Sequence, residues 1–212
     1  GVDVSSGVER GSPGLAAYVA EALEHMRHDY DGFVDEAGDI DALAARLAPM
    51  APCCVLPGCE MGVEAAELLA QRLGLPGNDP ATSHTRRDKL AMHQALAAVG
   101  LPSLGSLATA DADAAQAFAE NLGTWPVVLK PLRSAATEGV RFCRSASELR
   151  QAMQELLGTN TQFGEANTQV LVQQCAEGRE FAVNTVSRGG RHALSDLWEY
   201  HKIPTPGGAP LY

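Results

Sequence analysis

Pro126-Val-Val-Leu-Lys130-Pro131-Leu-Arg-Ser134-Ala-Ala-Thr137-Glu-Gly139-Val140 is an apolar run that ends on a lysine and passes into a loop of small and hydroxyl residues. The run before Lys130 predicts a buried strand. A lysine at a strand end, followed by such a loop, lets an ammonium and several backbone N–H groups converge on phosphate oxygens. Taken alone, the segment is equally well a strand whose last lysine snorkels into solvent. A later segment adds weight: Val170-Leu-Val-Gln173-Gln174-Cys175-Ala176-Glu-Gly178-Arg-Glu180-Phe-Ala-Val183. Backbone groups at the end of its apolar run can hold a purine edge, and the Glu180 carboxylate can accept both ribose hydroxyl hydrogens. By itself this too is an ordinary strand–turn–strand with Glu180 as a solvated charge. Its position after the lysine loop is the informative feature.

Outward from these segments the pattern alternates. Towards the N-terminus, apolar positions from Leu15 to Met26 recur at helical spacing, Gly32-Phe-Val34 offers a short strand, and Asp39 can cap a helix carrying Ile40, Leu43, Ala44 and Leu47. Cys53-Cys-Val-Leu56 then reads as a buried strand and Glu64 to Leu73 as a helix ended by Gly74. This order implies a parallel, doubly wound sheet without its usual opening strand. Thr85-Arg-Arg-Asp88 forms a capping-box pattern for a helix through Leu90, His93 and Leu96 to Gly100. On this reading His93 is a surface or packing residue. Beyond a boundary near residue 102 come a helix around Asp111 to Leu122, the lysine strand, a strand Val140 to Cys143, and a helix capped by Ser145. A polar, flexible loop is expected over 159–168, then strands at 170–174, 180–187 and 192–200, the last two joined by the hairpin Arg188-Gly-Gly-Arg191.

The chain has 212 residues, 45% hydrophobic and 20% charged, which suits one or two packed lobes and argues against disorder. A formal net charge of −10 without a basic cluster argues against nucleic acid or an anionic membrane as partner. Cys53, Cys54, Cys59, Cys143 and Cys175 lack paired zinc-site spacings and read as buried thiols in a reducing cytoplasm. No apolar run reaches the roughly 20 residues that span a bilayer.

Asp88-Lys89, Val-Val-Leu-Lys130-Pro and Val-Leu-Val-Gln173-Gln-Cys-Ala-Glu-Gly-Arg-Glu180-Phe, in that order, resemble the nucleotide-binding motifs of the ATP-grasp superfamily. The resemblance implies an α/β chain. Residues 1–102 would form the N-terminal doubly wound parallel-sheet (pre-ATP-grasp) domain, and residues 103–212 the first part of an ATP-grasp α+β domain. It also implies that Lys89 and Lys130 contact the ATP phosphates and serve catalysis, with Ser134, Thr137 and Gly139 in the phosphate loop. Gln173, Gln174, Cys175 and Ala176 would then grip adenine, and Glu180 the ribose. Two positions depart from the pattern: Gln173 stands where a glutamate is common, and Ala136 where the phosphate loop usually has glycine.

Within the superfamily, Pro57-Gly-Cys-Glu60-Met-Gly-Val, Leu75-Pro-Gly-Asn78-Asp-Pro and the stretch Val183 to Trp198 look like the L-amino acid ligases that make dipeptides. The implied reaction joins an amino-acid carboxylate to an amine through an acyl phosphate, with ATP and Mg2+ as cofactors and amino acids as small-molecule partners. A homodimer stays compatible with the sequence. Glu60, beside Glu64 after the expected strand end, and Glu199 and His201 near the last strand are candidate substrate contacts; Glu60 and Glu64 in such a place are more often simply acids of a helix's first turn. The resemblance also implies magnesium ligands on late strands. No such motif occurs by residue 212, so no metal ligand is assigned and those residues are expected beyond it, in a longer protein. Alternatives are an ATP-grasp ligase of another carboxylate and amine pair in natural-product biosynthesis, a non-catalytic nucleotide-binding module, or an α/β domain that binds no nucleotide.

Overall fold

The computed structural model describes residues 2–6, 30–36, 38–135, 137–161 and 164–201. Near the N-terminus, β1 (Val2–Ser6) pairs in parallel with β2 (Gly32–Glu36). The expected missing first strand is therefore present, formed by the opening residues themselves. The helix expected between Pro13 and His28 lies outside the described residues.

Helix α1 (Ile40–Leu47) begins where Asp39 accepts from the backbone N–H groups of Asp41 and Ala42, and it buries Leu43, Ala44 and Leu47. This face meets Val34 of β2 and Leu69 of α2 (Gly62–Arg72) in one apolar cluster. The expected strand over Cys53–Leu56 does not form. Pro52 and Pro57 bracket it, each without a backbone donor for a ladder, and Leu56 is left 79% exposed. Cys53, Cys54 and Cys59 are accordingly exposed, and Cys143 is the buried thiol, pushed up to about 11 by burial.

One expected helix is two. α3 (His84–Arg87) stops at Asp88, whose extended backbone breaks the helix while its carboxylate accepts from Ala91 N–H and so caps α4 (Lys89–Ala98). Thr85 is not the cap; its hydroxyl donates to Thr82 O.

The second region is a four-stranded antiparallel sheet in the order β3-β6-β4-β5, from β3 (Ser106–Thr109), β4 (Val127–Pro131), β5 (Arg141–Cys143) and β6 (Val170–Gln174). The short β3 was not apparent in the sequence. α5 (Ala112–Leu122) is capped by Asp111, and α6 (Ala146–Leu156) by Ser145, with Glu148 returning a carboxylate to Arg144 N–H. Both pack on one sheet face, where Val127, Leu129, Val170 and Val172 meet Ala115, Ala119, Leu149 and Met153. Each such fully buried Leu or Val contributes about 1.5–3 kcal/mol. The loop expected to be flexible is held at its ends, with Thr161 N–H bonded to Glu165 O and Asn167 N–H to Thr159 O, both at 2.8 Å.

β7 (Glu180–Arg188) and β8 (Arg191–Tyr200) form a separate antiparallel hairpin. Gly189 and Gly190 both take positive φ at its turn, the conformation a two-residue hairpin loop requires. No helix among the described residues is long and apolar enough to cross a membrane.

Candidate functional site

Strand alternation builds the site. Val127 and Leu129 of β4 and Val170 and Val172 of β6 point into the helix-covered core. Lys130 and Gln173 must therefore project from the opposite face. In the register, Lys130 opposes Leu171 and Gln173 opposes Val128, so the two long side chains are diagonal neighbours on that face. The Lys130 ammonium donates to Gln173 Oε1 at 2.8 Å.

Lys89, the first residue of α4, reaches the same place from another direction. Its backbone N–H bonds Leu132 O at 3.2 Å, and its ammonium donates to Ser134 O at 2.9 Å, Ser134 Oγ at 3.3 Å and Leu132 O at 3.3 Å. The cap at Asp88 and these carbonyls hold the helix start against the loop that leaves β4. Burial, then the charges of Lys130 and Arg87, lower Lys89 to about 8, against a weaker opposing pull from Glu60 and Asp88. Burial also lowers Lys130, with the Glu180 carboxylate opposing it. The two ammoniums are half-buried, and the Lys130 charge disfavours the charged form of Lys89. An incoming polyphosphate would relieve both, so this part of the site fits a nucleotide's phosphates.

Surrounding acids tie the neighbouring cations down. Buried Arg87 pairs with Glu60, and Arg133 in the loop after β4 makes a two-pronged pair with Glu64 of α2, at 2.6 and 3.2 Å, and lies 3.3 Å from Glu165. The Glu64 contact, with Glu165 beside it, holds Arg133 above its ordinary pKa range. Glu60 and Glu64 therefore enter the site's surroundings as partners of arginines. Gly139, at φ +69°, is packed so tightly that an added Cβ would lie 2.8 Å from the Pro131 ring. Its role as placed is to let the loop return onto β4. Thr137 is exposed on that loop, with φ +60°.

At the end of β6 the Gln174 N–H is taken by Gly105 O at 2.8 Å, and the chain leaves the sheet at Cys175 and Ala176. Gln173 is 3% exposed and its backbone lies within the ladder, so it meets the site through its side chain. Glu180 opens β7 near enough to act on Lys130. Glu199 and His201 are not brought to the lysines. Glu199 accepts from Arg179 Nε and Nη2, both at 2.6 Å, which with the His201 charge keeps its carboxyl below the usual range.

Arg87, His93, Ser106 and Arg133 belong to this arrangement and were not named as site residues from the sequence, where His93 reads as a surface or packing residue. His93 Nε2 lies 2.6 Å from Gln173 Nε2, and Ser106 Oγ 2.9 Å from the same atom. Only the unrecognised strand β3 puts Ser106 opposite Gln173. Among the described residues no group of three or more His, Cys, Asp or Glu is placed to hold a metal ion.

The chain is similar to known proteins in sequence and in fold. Residues 87–204 match the family model of the phosphoribosylglycinamide synthetase ATP-grasp (A) domain. The chain is 32% identical over 195 residues to dapdiamide A synthase of Enterobacter agglomerans, covering 92% of this chain and 44% of that protein. The L-amino acid ligase from Bacillus licheniformis superposes with a TM-score of 0.61 at 19% identity, over 84% of this chain and 41% of that one. The D-alanine-D-alanine ligase from Coxiella burnetii gives 0.56 at 21% identity, over 70% and 44%. The chain spans less than half the length of the curated relatives it matches.

Proposed function

Since the chain belongs to the ATP-grasp family, we propose that the full-length protein uses ATP to activate an amino-acid carboxylate and joins it to an amine, giving a dipeptide. A carboxylate oxygen attacks the γ-phosphorus of ATP, the bond to the ADP oxygen breaks, and an acyl phosphate forms. The amine nitrogen then attacks the carbonyl carbon, phosphate leaves with the electron pair of the C–O bond, and the nitrogen gives up its proton. Such chemistry asks the protein mainly to position groups and to neutralise charge on the transferring phosphoryl group.

The observation that carries this reading is the convergence of Lys89 and Lys130, from α4 and β4, with both ammoniums held below the ordinary lysine range. Lys89 and Lys130 face the phosphates, Ser134, Thr137 and Gly139 shape the loop over them, Gln173 to Ala176 border the adenine, and Glu180 takes the ribose. Residues 103–212 form the first part of the ATP-grasp domain, and residues 1–102 the domain before it. Magnesium is part of the proposal for the whole protein, and no step is assigned through it. The relative named for L-amino acid ligation supports amino acids as substrates; the alternative is an ATP-grasp ligase of another carboxylate and amine pair in natural-product biosynthesis.

Full-length protein incubated with ATP, magnesium and pooled amino acids, with products identified by mass, tests this. The expected result is ADP, phosphate and a product one water lighter than two amino acids. ATP binding without amino-acid-dependent phosphate release would leave a nucleotide-binding module instead.

A further inference from the structure

The hydrogen bonds around Gln173 fix the protonation of a residue outside the phosphate-contacting set. An ammonium only donates, so the Gln173 atom facing Lys130 at 2.8 Å is the carbonyl oxygen, and the other end of the amide is the NH2 group. That group has two hydrogens and two neighbours, Ser106 Oγ at 2.9 Å and His93 Nε2 at 2.6 Å. The Ser106 hydroxyl spends its own hydrogen on Leu104 O at 3.0 Å, so its oxygen accepts from Gln173. His93 Nε2 must then accept as well. The ring is neutral with its proton on Nδ1, an atom that is buried and has no hydrogen-bond partner among the described residues. Burial and the Lys130 charge both press His93 towards this neutral form.

Turning the amide over would set its NH2 group against the Lys130 ammonium and its oxygen against the His93 lone pair. The neutral ring thus accepts in the one orientation that also offers Lys130 an acceptor. We propose that His93 is a positioning residue of the phosphate site, whose neutral ring accepts at Nε2 and locks the Gln173 amide with its oxygen towards Lys130, so that the ammonium keeps its aim. The functional half of this inference rests on the phosphate-site reading of Lys130, and the structural half rests on the hydrogen-bond chain alone.

Long-range proton–nitrogen NMR on full-length protein with labelled histidine reads the ring directly. The expected wild-type result is a bare Nε2 and a protonated Nδ1 at neutral pH. Gln173→Glu, whose carboxylate can only accept, should move a proton onto Nε2. In steady-state assays His93→Ala should lower kcat/KM for ATP about tenfold, the size expected for one lost hydrogen bond to a charged group. His93→Gln, which restores an acceptor, should recover most of that loss. A protonated Nε2 in the wild type overturns the inference, as does an unchanged kcat/KM for ATP in His93→Ala. If wild-type protein binds no ATP, the phosphate-site reading fails, and the NMR result still decides the hydrogen-bond chain.

Discussion

Two polar clusters, one around Glu67 and one around Lys89 and Lys130, have pKa values shifted in the same direction with opposite meaning. Glu67 of α2 is buried, and its oxygens accept from Arg86 Nε and Nη2 at 2.6 and 2.7 Å, from Asn78 at 2.8 Å and from Ser83. Burial alone would raise its carboxyl; the hydrogen bonds from Arg86, Ser83 and Asn78 outweigh it and leave the pKa lowered, so the charged form is favoured. Lys89 and Lys130 are lowered as well, but for a lysine that means the charged form is disfavoured. The first cluster completes its own electrostatics and ties α2, α3 and the loop between them into one unit. The second keeps surplus positive charge in a half-buried place, and that is a reason to expect an anion there.

If this distinction holds, substitutions in the two clusters should separate activity from stability. Lys130→Ala should lower ADP formation by the full-length enzyme about 1,000-fold or more, as losing a main source of phosphoryl-charge stabilisation does. Its thermal midpoint should hold or rise, because a disfavoured buried charge has gone; a large fall would place Lys130 with the structural cluster. Glu67→Ala should cost about 3 kcal/mol in denaturant unfolding, the penalty for stripping one partner from a buried pair. A carboxyl lowered on folding stabilises above its unfolded value of 4.5 and ceases to as pH falls through the folded value. Glu67→Ala should therefore flatten the acid side of the stability curve.

The next effect is on pH dependence. With Lys89 near 8 in the folded chain and 10.5 unfolded, the unfolded state binds more protons between those values, so this group makes stability rise with pH there. Nucleotide needs the charged lysine, so affinity should weaken as pH climbs through about 8, by at most about tenfold per unit. Titrations of ATP at pH 7 and 9.5 measure it. The smallest effect belongs to neither cluster. Arg72→Ala breaks an exposed pair with Asp41 and should shift stability by about 0.5 kcal/mol.

Much of the second region was legible because its rules are local. Asp111 and Ser145 cap their helices, two glycines turn the β7–β8 hairpin, and the apolar run into Lys130 forms the expected strand. What failed was the ability of local signals to settle pairing. Cys53–Leu56 has strand composition and no ladder, while the opening Val2–Ser6 finds one beside β2. Ser106–Thr109 is four residues long, and its strand state follows from lying against β6. At the site, Lys89, Lys130 and Ser134 were named from motif order and come together. His93 looked like packing because helical periodicity gives its face but not the buried amide it meets. Glu60 and Glu64 were read as substrate contacts or first-turn acids, and the arginines that occupy them come from distant parts of the chain.

Calorimetry of ATP binding to the full-length protein at pH 8, in two buffers of different ionisation enthalpy, counts the protons exchanged on binding. If the surplus charge at Lys89 and Lys130 is waiting for phosphate, binding should take up a substantial fraction of a proton, because Lys89 is about half charged beforehand and becomes fully charged in the complex. Binding with no proton uptake, or with the same uptake after Lys89→Met, would contradict the account.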